Sequence, residues 1–204
     1  MKILVATKNK GKFNEIAGFL GGVEVGGGSG VGDGRITLEF LGDYDVNLVE
    51  DGETHRENAE RKARQVPDLS VWGSRVPDLV LAEDSGIYID ALKDELGVYT
   101  RRWGAGESAT DEEWLEFFMK EMALRAPDVS QRGAKFVCNA CLARFGEDGG
   151  VSTYSFEGET FGKITDKPMA PLLPGLPLSS VFLPDGFDKV YAALSREEKN
   201  KISH

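Results

Sequence analysis

Cysteine is scarce in this chain: Cys138 and Cys141 are the only two in 204 residues. Their spacing is C-x-x-C, but there is no second pair, and the two histidines, His55 and His204, are remote in sequence. A four-ligand zinc site therefore lacks support. A redox pair is expected where a loop enters a helix, whereas Phe136-Val137-Cys138-Asn139-Ala140-Cys141-Leu142-Ala143 reads as an apolar strand. Core packing accounts for the pair better. Long apolar runs are also missing, and none approaches the ~20 residues of a membrane span. The opening Met1-Lys2-Ile3-Leu4-Val5-Ala6-Thr7 is too short in its apolar part for a signal peptide and carries no cleavage-like site. It reads as a first β-strand, and the expected location is the cytoplasm. Finally, positive charge is in deficit. Lys and Arg total 24 against 34 Asp and Glu, a net charge of -10, which argues against a broad nucleic-acid footprint. A small polyanion stays admissible, because a divalent metal and a few local lysines outweigh the global field within a Debye length of ~8 Å.

What is present is an ordinary globular composition, 41% hydrophobic and 28% charged, enough for one sizeable domain or two small lobes. After the first strand comes a polar cationic turn, Thr7-Lys8-Asn9-Lys10-Gly11-Lys12. Phe13, Ile16, Ala17 and Leu20 then form the i, i+3, i+4, i+7 stripe of an amphipathic helix ended by Gly21-Gly22. Residues 23–34 are glycine-rich and predict a loop with at most a short strand. They lack the lysine-serine ending of a Walker-type phosphate loop. Residues 36–40 alternate as a strand, and Glu57-Asn58-Ala59-Glu60-Arg61-Lys62-Ala63 favours a helix. Pro67 and Pro77 bracket a loop ahead of a strand over 79–82. Thr110-Asp111-Glu112-Glu113 predicts a capped helix turning Trp114, Leu115, Phe118 and Met122 inward. Strands are expected over 135–145 and 151–156, joined by a turn over 146–150, with a proline-rich stretch and a helical tail after them. No internal repeat or domain linker is evident. The fold expected is α/β or α+β with a long central sheet.

Three constellations carry chemistry. In Leu81-Ala82-Glu83-Asp84-Ser85-Gly86-Ile87-Tyr88-Ile89-Asp90 two acids sit at the mouth of an apolar strand, with Gly86 expected to bend the backbone. Adjacent carboxylates there cost desolvation energy, which a metal, a cation or a proton-transfer role offsets. A solvated acidic turn explains the decapeptide equally well. The Thr7–Lys12 turn runs from a strand into a helix, where free backbone N–H groups bind anions and a lysine adds a point charge; alone, it also fits an ordinary polar turn. Glu50-Asp51-Gly52-Glu53-Thr54 precedes a helix, and such acids serve as caps or project toward a metal. Together the three form a coherent set for metal-assisted phosphate chemistry.

In this order the motifs resemble the inosine triphosphate pyrophosphatase (Ham1-like) family, enzymes that clear damaged purine nucleoside triphosphates. The resemblance spans nearly the whole chain. It rests on Ala6-Thr7-Lys8-Asn9-Lys10-Gly11-Lys12, Glu57-Asn58-Ala59 with Glu50 upstream, Ala82-Glu83-Asp84-Ser85-Gly86, Gly97-Val98-Tyr99-Thr100-Arg101-Arg102-Trp103, Phe136-Val137-Cys138, and Glu197-Glu198-Lys199-Asn200-Lys201-Ile202-Ser203-His204. It implies a single α/β domain over residues 1–204, with an elongated central mixed sheet, flanking helices and two lobes around a nucleotide-binding cleft, assembled as a homodimer. It further implies Mg²⁺-dependent hydrolysis of a nucleoside triphosphate to the monophosphate and pyrophosphate. By position, Thr7, Asn9, Lys12 and Ser85 would hold the triphosphate. Glu50, Glu83 and Asp84 would organise the metal, Asp84 would act as general base or orient the water, and Glu83 and Lys12 would assist. Lys199, Ser203 and His204 would face base and ribose.

The chain departs from the family at three points. Where the family reads Gly-Phe-Gly-Tyr/Trp-Asp-Pro, this chain reads Gly175-Leu176-Pro177-Leu178-Ser179-Ser180, so that Leu176 and Ser179 replace the stacking aromatic and the aspartate. Base–aromatic stacking contributes ~1–3 kcal/mol, so purine affinity or base preference should differ. The family's Ser-His-Arg reads Ser203-His204 with no arginine following, and Glu83 stands where an aspartate is commoner. The alternatives are therefore a pyrophosphatase rebuilt for another modified or pyrimidine nucleotide, or a nucleotide-binding protein without catalysis. Elsewhere, His55 is expected to be solvated at a charged helix start, Trp72 to be a loop residue at the surface or an interface, and Trp114, Phe117 and Phe118 to pack in the core or a dimer face. Arg101 and Arg102 suit either phosphate binding or support of the fold.

Overall fold

The computed structural model describes residues 2–20, 24–25, 36–66, 77, 79–93, 95–106, 108–146 and 149–202. Trp72, Ser203, His204 and most of the glycine-rich 23–34 stretch lie outside these. The chain divides into two compact units, one from residues 1–84 and 139–156, the other from 85–138 and 157–204.

In the first unit the chain runs through β1 (Lys2–Val5), α1 (Lys10–Phe19), β2 (Glu24–Val25), β3 (Thr37–Phe40), α2 (His55–Gln65) and the first half of β4 (Leu79–Ile89). The strands lie in the order β2-β3-β1-β4. β1 is parallel to both neighbours, and Val5 is opposite Phe40 on one side and Leu81 on the other. Parallel neighbours require crossover connections. The first, through α1, leads from β1 past β3 to β2; a later one, through α2, leads from β3 back past β1 to β4. Since crossovers are right-handed, opposite directions place the two helices on opposite faces of the sheet. The packing agrees with the period-2 alternation of the strands. Ile3 and Val5 of β1 pack with Phe13 of α1 and with Leu79 and Leu81 of β4. Leu4 and Ala6 pack with Ala59 and Ala63 of α2 and with Val80 and Ala82 of β4. Cys141 is buried in that second cluster, as its apolar context predicts.

The second unit holds the rest of β4, the first part of β5 (Gly133–Phe145), the second part of β6 (Val151–Ile164), β7 (Phe182–Pro184), α3 (Asp111–Arg125) and α4 (Arg196–Ile202). Thr110 and Glu113 form a reciprocal capping box at the start of α3. That helix turns Trp114, Leu115, Phe118 and Met122 into the core, and the Trp114 and Phe118 rings stack at 5.3 Å. Phe117 packs edge-on to Trp103 instead. β7 runs antiparallel to β6, with Lys163 opposite Leu183.

The structure changes the reading of two segments. β4 does not end at Ala82: it continues through Glu83 and Asp84 to Ile89, so the acids lie within a strand rather than at its mouth. Gly86 makes no bend. A Cβ there would fall inside the contact distance of the Gly97 carbonyl oxygen, so glycine is required for a close backbone approach. β6 likewise extends well beyond residue 156.

Candidate active site

The sheet topology explains why distant motifs meet. The strand order reverses at β1: the chain goes from it to β2 and β3 on one side, then passes to β4 on the other. In open parallel sheets the carboxyl ends of strands flanking such a switch point form the ligand crevice. At the end of β1 the Ala6 amide donates to the Leu81 carbonyl (2.8 Å), and two residues beyond the paired Val5 and Leu81 come Thr7 and Glu83. The turn after Thr7 then enters α1. Asn9 is its N-cap, its side-chain oxygen accepting from the Lys12 amide at 3.1 Å, and the Asn9 amide donates to Thr7 Oγ1 at 3.1 Å. The helix start thus sits at the sheet's switch point with Lys12 in its first turn. Lys8 and Lys10 are engaged elsewhere, Lys8 with Asn47 at 2.8 Å and Lys10 over the Phe40 ring at 4.4 Å.

Alternation along β4 assigns the two acids to different faces. Glu83 follows Leu79 and Leu81 on the α1 side, where Lys12 Nζ meets its Oε1 at 2.9 Å and its Oε2 at 3.0 Å. Asp84 follows Val80 and Ala82 on the α2 side. There its Oδ2 lies 2.7 Å from His55 Nδ1 and accepts from Asn58 Nδ2 at 3.1 Å. Lys62 Nζ stands between two carboxylates, 3.8 Å from Asp84 Oδ1 and 3.4 Å from Glu50 Oε1. His55, Asn58 and Lys62 are all buried, and their i, i+3, i+7 spacing forms one stripe of α2. Thr54 caps this helix by accepting from the Glu57 amide at 3.1 Å.

The expectation of a solvated His55 is overturned: the residue is 3% exposed. Its position at the first turn of α2 faces it inward, onto Asp84. Asn58 and Lys62 also carry more than the sequence reading gave them. Helical periodicity was the available signal, since polar residues at 55, 58 and 62 share a face with Ala59, Ala63 and Val66.

Burial would raise the pKa of both β4 acids. The charges of Lys12 and Lys62, with the Lys12 hydrogen bond, outweigh it at Glu83 and hold that carboxyl below its ordinary value. At Asp84 the His55 hydrogen bond and the Lys62 charge do the same. Both acids are therefore charged at neutral pH.

The remaining expected site residues fall in the second unit. Leu176 is half-buried, and the buried Ser179 donates its hydroxyl to the Leu176 carbonyl at 2.6 Å. The Gly175 amide donates to Asp111 Oδ2 at 2.6 Å, tying this turn to the start of α3. Lys199 on α4 lies over the Tyr191 ring at 4.8 Å. Arg101 donates to the Ala109 carbonyl, and Arg102 lies over Tyr99 at 5.2 Å, contacts that support the fold. Ser85 follows Asp84 directly in β4.

The donor chemistry suits a hard divalent cation. Among the described residues no group of three His, Cys, Asp or Glu side chains is placed to cage a metal. Mg²⁺ does not need such a cage, because it is commonly held by one or two carboxylates, waters and substrate phosphates. Glu50 and Asp84, which converge on a single ammonium, offer that kind of partial set.

The fold is that of an α/β protein with a mixed sheet and flanking helices, and buried charged groups gather at the switch point. The sequence matches the Ham1 family over residues 3–204, and the chain belongs to that family. It is 34% identical over 203 residues to the dITP/XTP pyrophosphatase of Oceanobacillus iheyensis, covering 100% of this chain and 91% of the relative. It is 33% identical over 203 residues to that of Geobacter sulfurreducens, covering 100% and 90%. Among solved structures, a HAM1 protein from Coxiella burnetii superposes with a TM-score of 0.71 at 28% identity, covering 100% of this chain and 92% of the other. The Ham1 protein of Staphylococcus aureus gives 0.67 at 28% identity, with the same coverage.

Proposed function

We propose that this chain, a nucleoside triphosphate pyrophosphatase, hydrolyses deaminated purine nucleotides such as dITP, ITP and XTP to the monophosphate and pyrophosphate, with Mg²⁺ as cofactor. One observation supports the reading: the capped start of α1 with Lys12 follows the end of β1, beside the stretch of β4 that carries a charged, doubly hydrogen-bonded Asp84. The positive end of a helix with a lysine in its first turn suits phosphate oxygens. Thr7, Asn9, Lys12 and Ser85 are the residues proposed to hold the triphosphate. Asp84 would accept a hydrogen bond from water and take its proton as the water oxygen attacks the α-phosphorus. The bond from that phosphorus to the bridging oxygen breaks, and pyrophosphate leaves. Lys12 and Lys62 supply positive charge where phosphate charge develops. Glu50 and Asp84 would hold the metal, with Glu83 keeping Lys12 in place; the ion would neutralise phosphate charge when bound.

Base recognition is assigned to Leu176, Ser179, Lys199, Ser203 and His204, and the altered 175–180 turn is expected to broaden or shift the base preference. We further propose a cytoplasmic homodimer, on the resemblance alone, to be checked by light scattering. No helix among the described residues is long and apolar enough to cross a membrane. The test of function is pyrophosphate release from dITP, ITP, XTP, dUTP and the standard triphosphates, with Mg²⁺ and again with EDTA. Release from the deaminated purines that EDTA abolishes is the expected result. No pyrophosphate from any nucleotide would sink the proposal.

A further inference from the structure

We propose that His55 is a positioning residue for hydrolysis: it fixes which oxygen of Asp84 is presented to the attacking water. The inference rests on the reading of Asp84 as the water-orienting carboxylate. His55 is the first residue of α2, immediately after the Thr54 cap, so the helix start sets its backbone. Its Nδ1 lies 2.7 Å from Asp84 Oδ2, and a carboxylate can only accept, so Nδ1 bears the hydrogen. Asn58 Nδ2 donates to the same oxygen at 3.1 Å. The orientation of the Asn58 amide is set in turn, because its Oδ1 accepts from the Gly52 amide at 2.8 Å in a buried bond. Gly52 is required there, since a Cβ would approach Asn58 Oδ1 to 2.7 Å.

Oδ2 therefore receives two directed donors, while Oδ1 faces only the Lys62 ammonium among the contacts described, at 3.8 Å. A carboxylate held by two donors on one oxygen cannot rotate about its Cβ–Cγ bond without losing both. The other oxygen is left to face the water and, when one is bound, the ion. Of the two donors, the imidazole is the closer and the more rigid. A buried histidine that only fills space does not need its Nδ1 on a charged carboxylate, and an aromatic ring of equal size would serve. The two roles thus predict different outcomes.

His55→Phe keeps the ring volume and removes the donor, whereas His55→Asn places an amide N–H near the Nδ1 position. For His55→Phe the kcat of pyrophosphate release from dITP should fall about 10–100-fold with KM nearly unchanged, and His55→Asn should recover most of that loss. Imidazole ¹⁵N NMR of the unmodified protein should show the hydrogen on Nδ1, a readout independent of turnover. Full kcat in His55→Phe, a loss confined to KM, or a hydrogen on Nε2 with none on Nδ1 each overturns the proposal. If His55→Phe does not fold, His55→Asn and the NMR signal decide. If the unmodified protein releases no pyrophosphate, the functional reading fails separately, and the tautomer still tests the His55–Asp84 contact.

Discussion

The proposed hydrolysis turns on Asp84, which is charged, buried and held by two donors. Asp84→Asn preserves shape and one acceptor but removes the base. Pyrophosphate release should drop about 10²–10⁴-fold, the usual contribution of a positioned general base, with an unchanged circular dichroism spectrum. Near-normal turnover would transfer the role to another residue. The sequence made the acid itself visible, since adjacent carboxylates beside an apolar strand are conspicuous. It did not make its partners visible. His55 and Lys62 lie in a segment rich in charge, and local composition there reads as a solvated helix. Only their placement on the same stripe as Ala59 and Ala63 shows that they turn inward.

At the scale of elements, helix starts were legible and strand ends were not. Thr110 and Glu113 announce the start of α3 by local chemistry, and the reciprocal hydrogen bonds, at 3.1 and 2.8 Å, are present. The extent of β4 and β6 depends on pairing with distant segments, which no local pattern encodes. Residues 157–164 of β6 contain two glycines and two glutamates, yet they hold as strand where Gly162 pairs with Pro184 and Ile164 with Phe182. Gly86 misled for the same reason, because its constraint comes from Gly97, eleven residues farther along the chain. Gly86→Ala should cost about 1–3 kcal/mol as the Gly97 turn is pushed away. A chemical-denaturation midpoint equal to that of the unmodified protein would show that this approach is soft.

At the scale of the whole molecule, charge governs two behaviours. Glu83 and Asp84 have folded pKa values below their unfolded ones, and Glu95, bonded to Arg125 through both carboxylate oxygens at 2.7 and 2.5 Å, falls to about 2. A depressed carboxyl contributes stability that is present above its unfolded pKa and lost as pH falls through the folded value. Melting temperature should therefore hold near neutrality and decline steadily below about pH 4.5, where unfolded carboxylates take up protons. The exposed Glu95 part should weaken with added salt. A flat profile down to pH 3 would contradict this. Second, a chain of net charge -10 repels an anionic nucleotide at long range, while Lys12 and Lys62 attract it only close in. At fixed Mg²⁺, kcat/KM should rise as ionic strength increases from low values, because screening removes the repulsion first. A monotonic fall would mean that local steering prevails from the outset.

The alternation of Glu83 and Asp84 along β4 also bears on how the chain finds its pairing. Each acid is matched to one helix: Glu83 to a cation of α1, Asp84 to three donors of α2. Parallel strands of small aliphatic residues tolerate a one-residue slip poorly, though their two apolar faces are similar enough to make it a near competitor. Here a slip would exchange the two carboxylates between faces and strand each one, charged, against the wrong helix. The pair proposed to serve the substrate therefore also discriminates against misregistered β4, and replacing both acids with apolar residues should yield a chain that folds less uniquely even where it folds more stably.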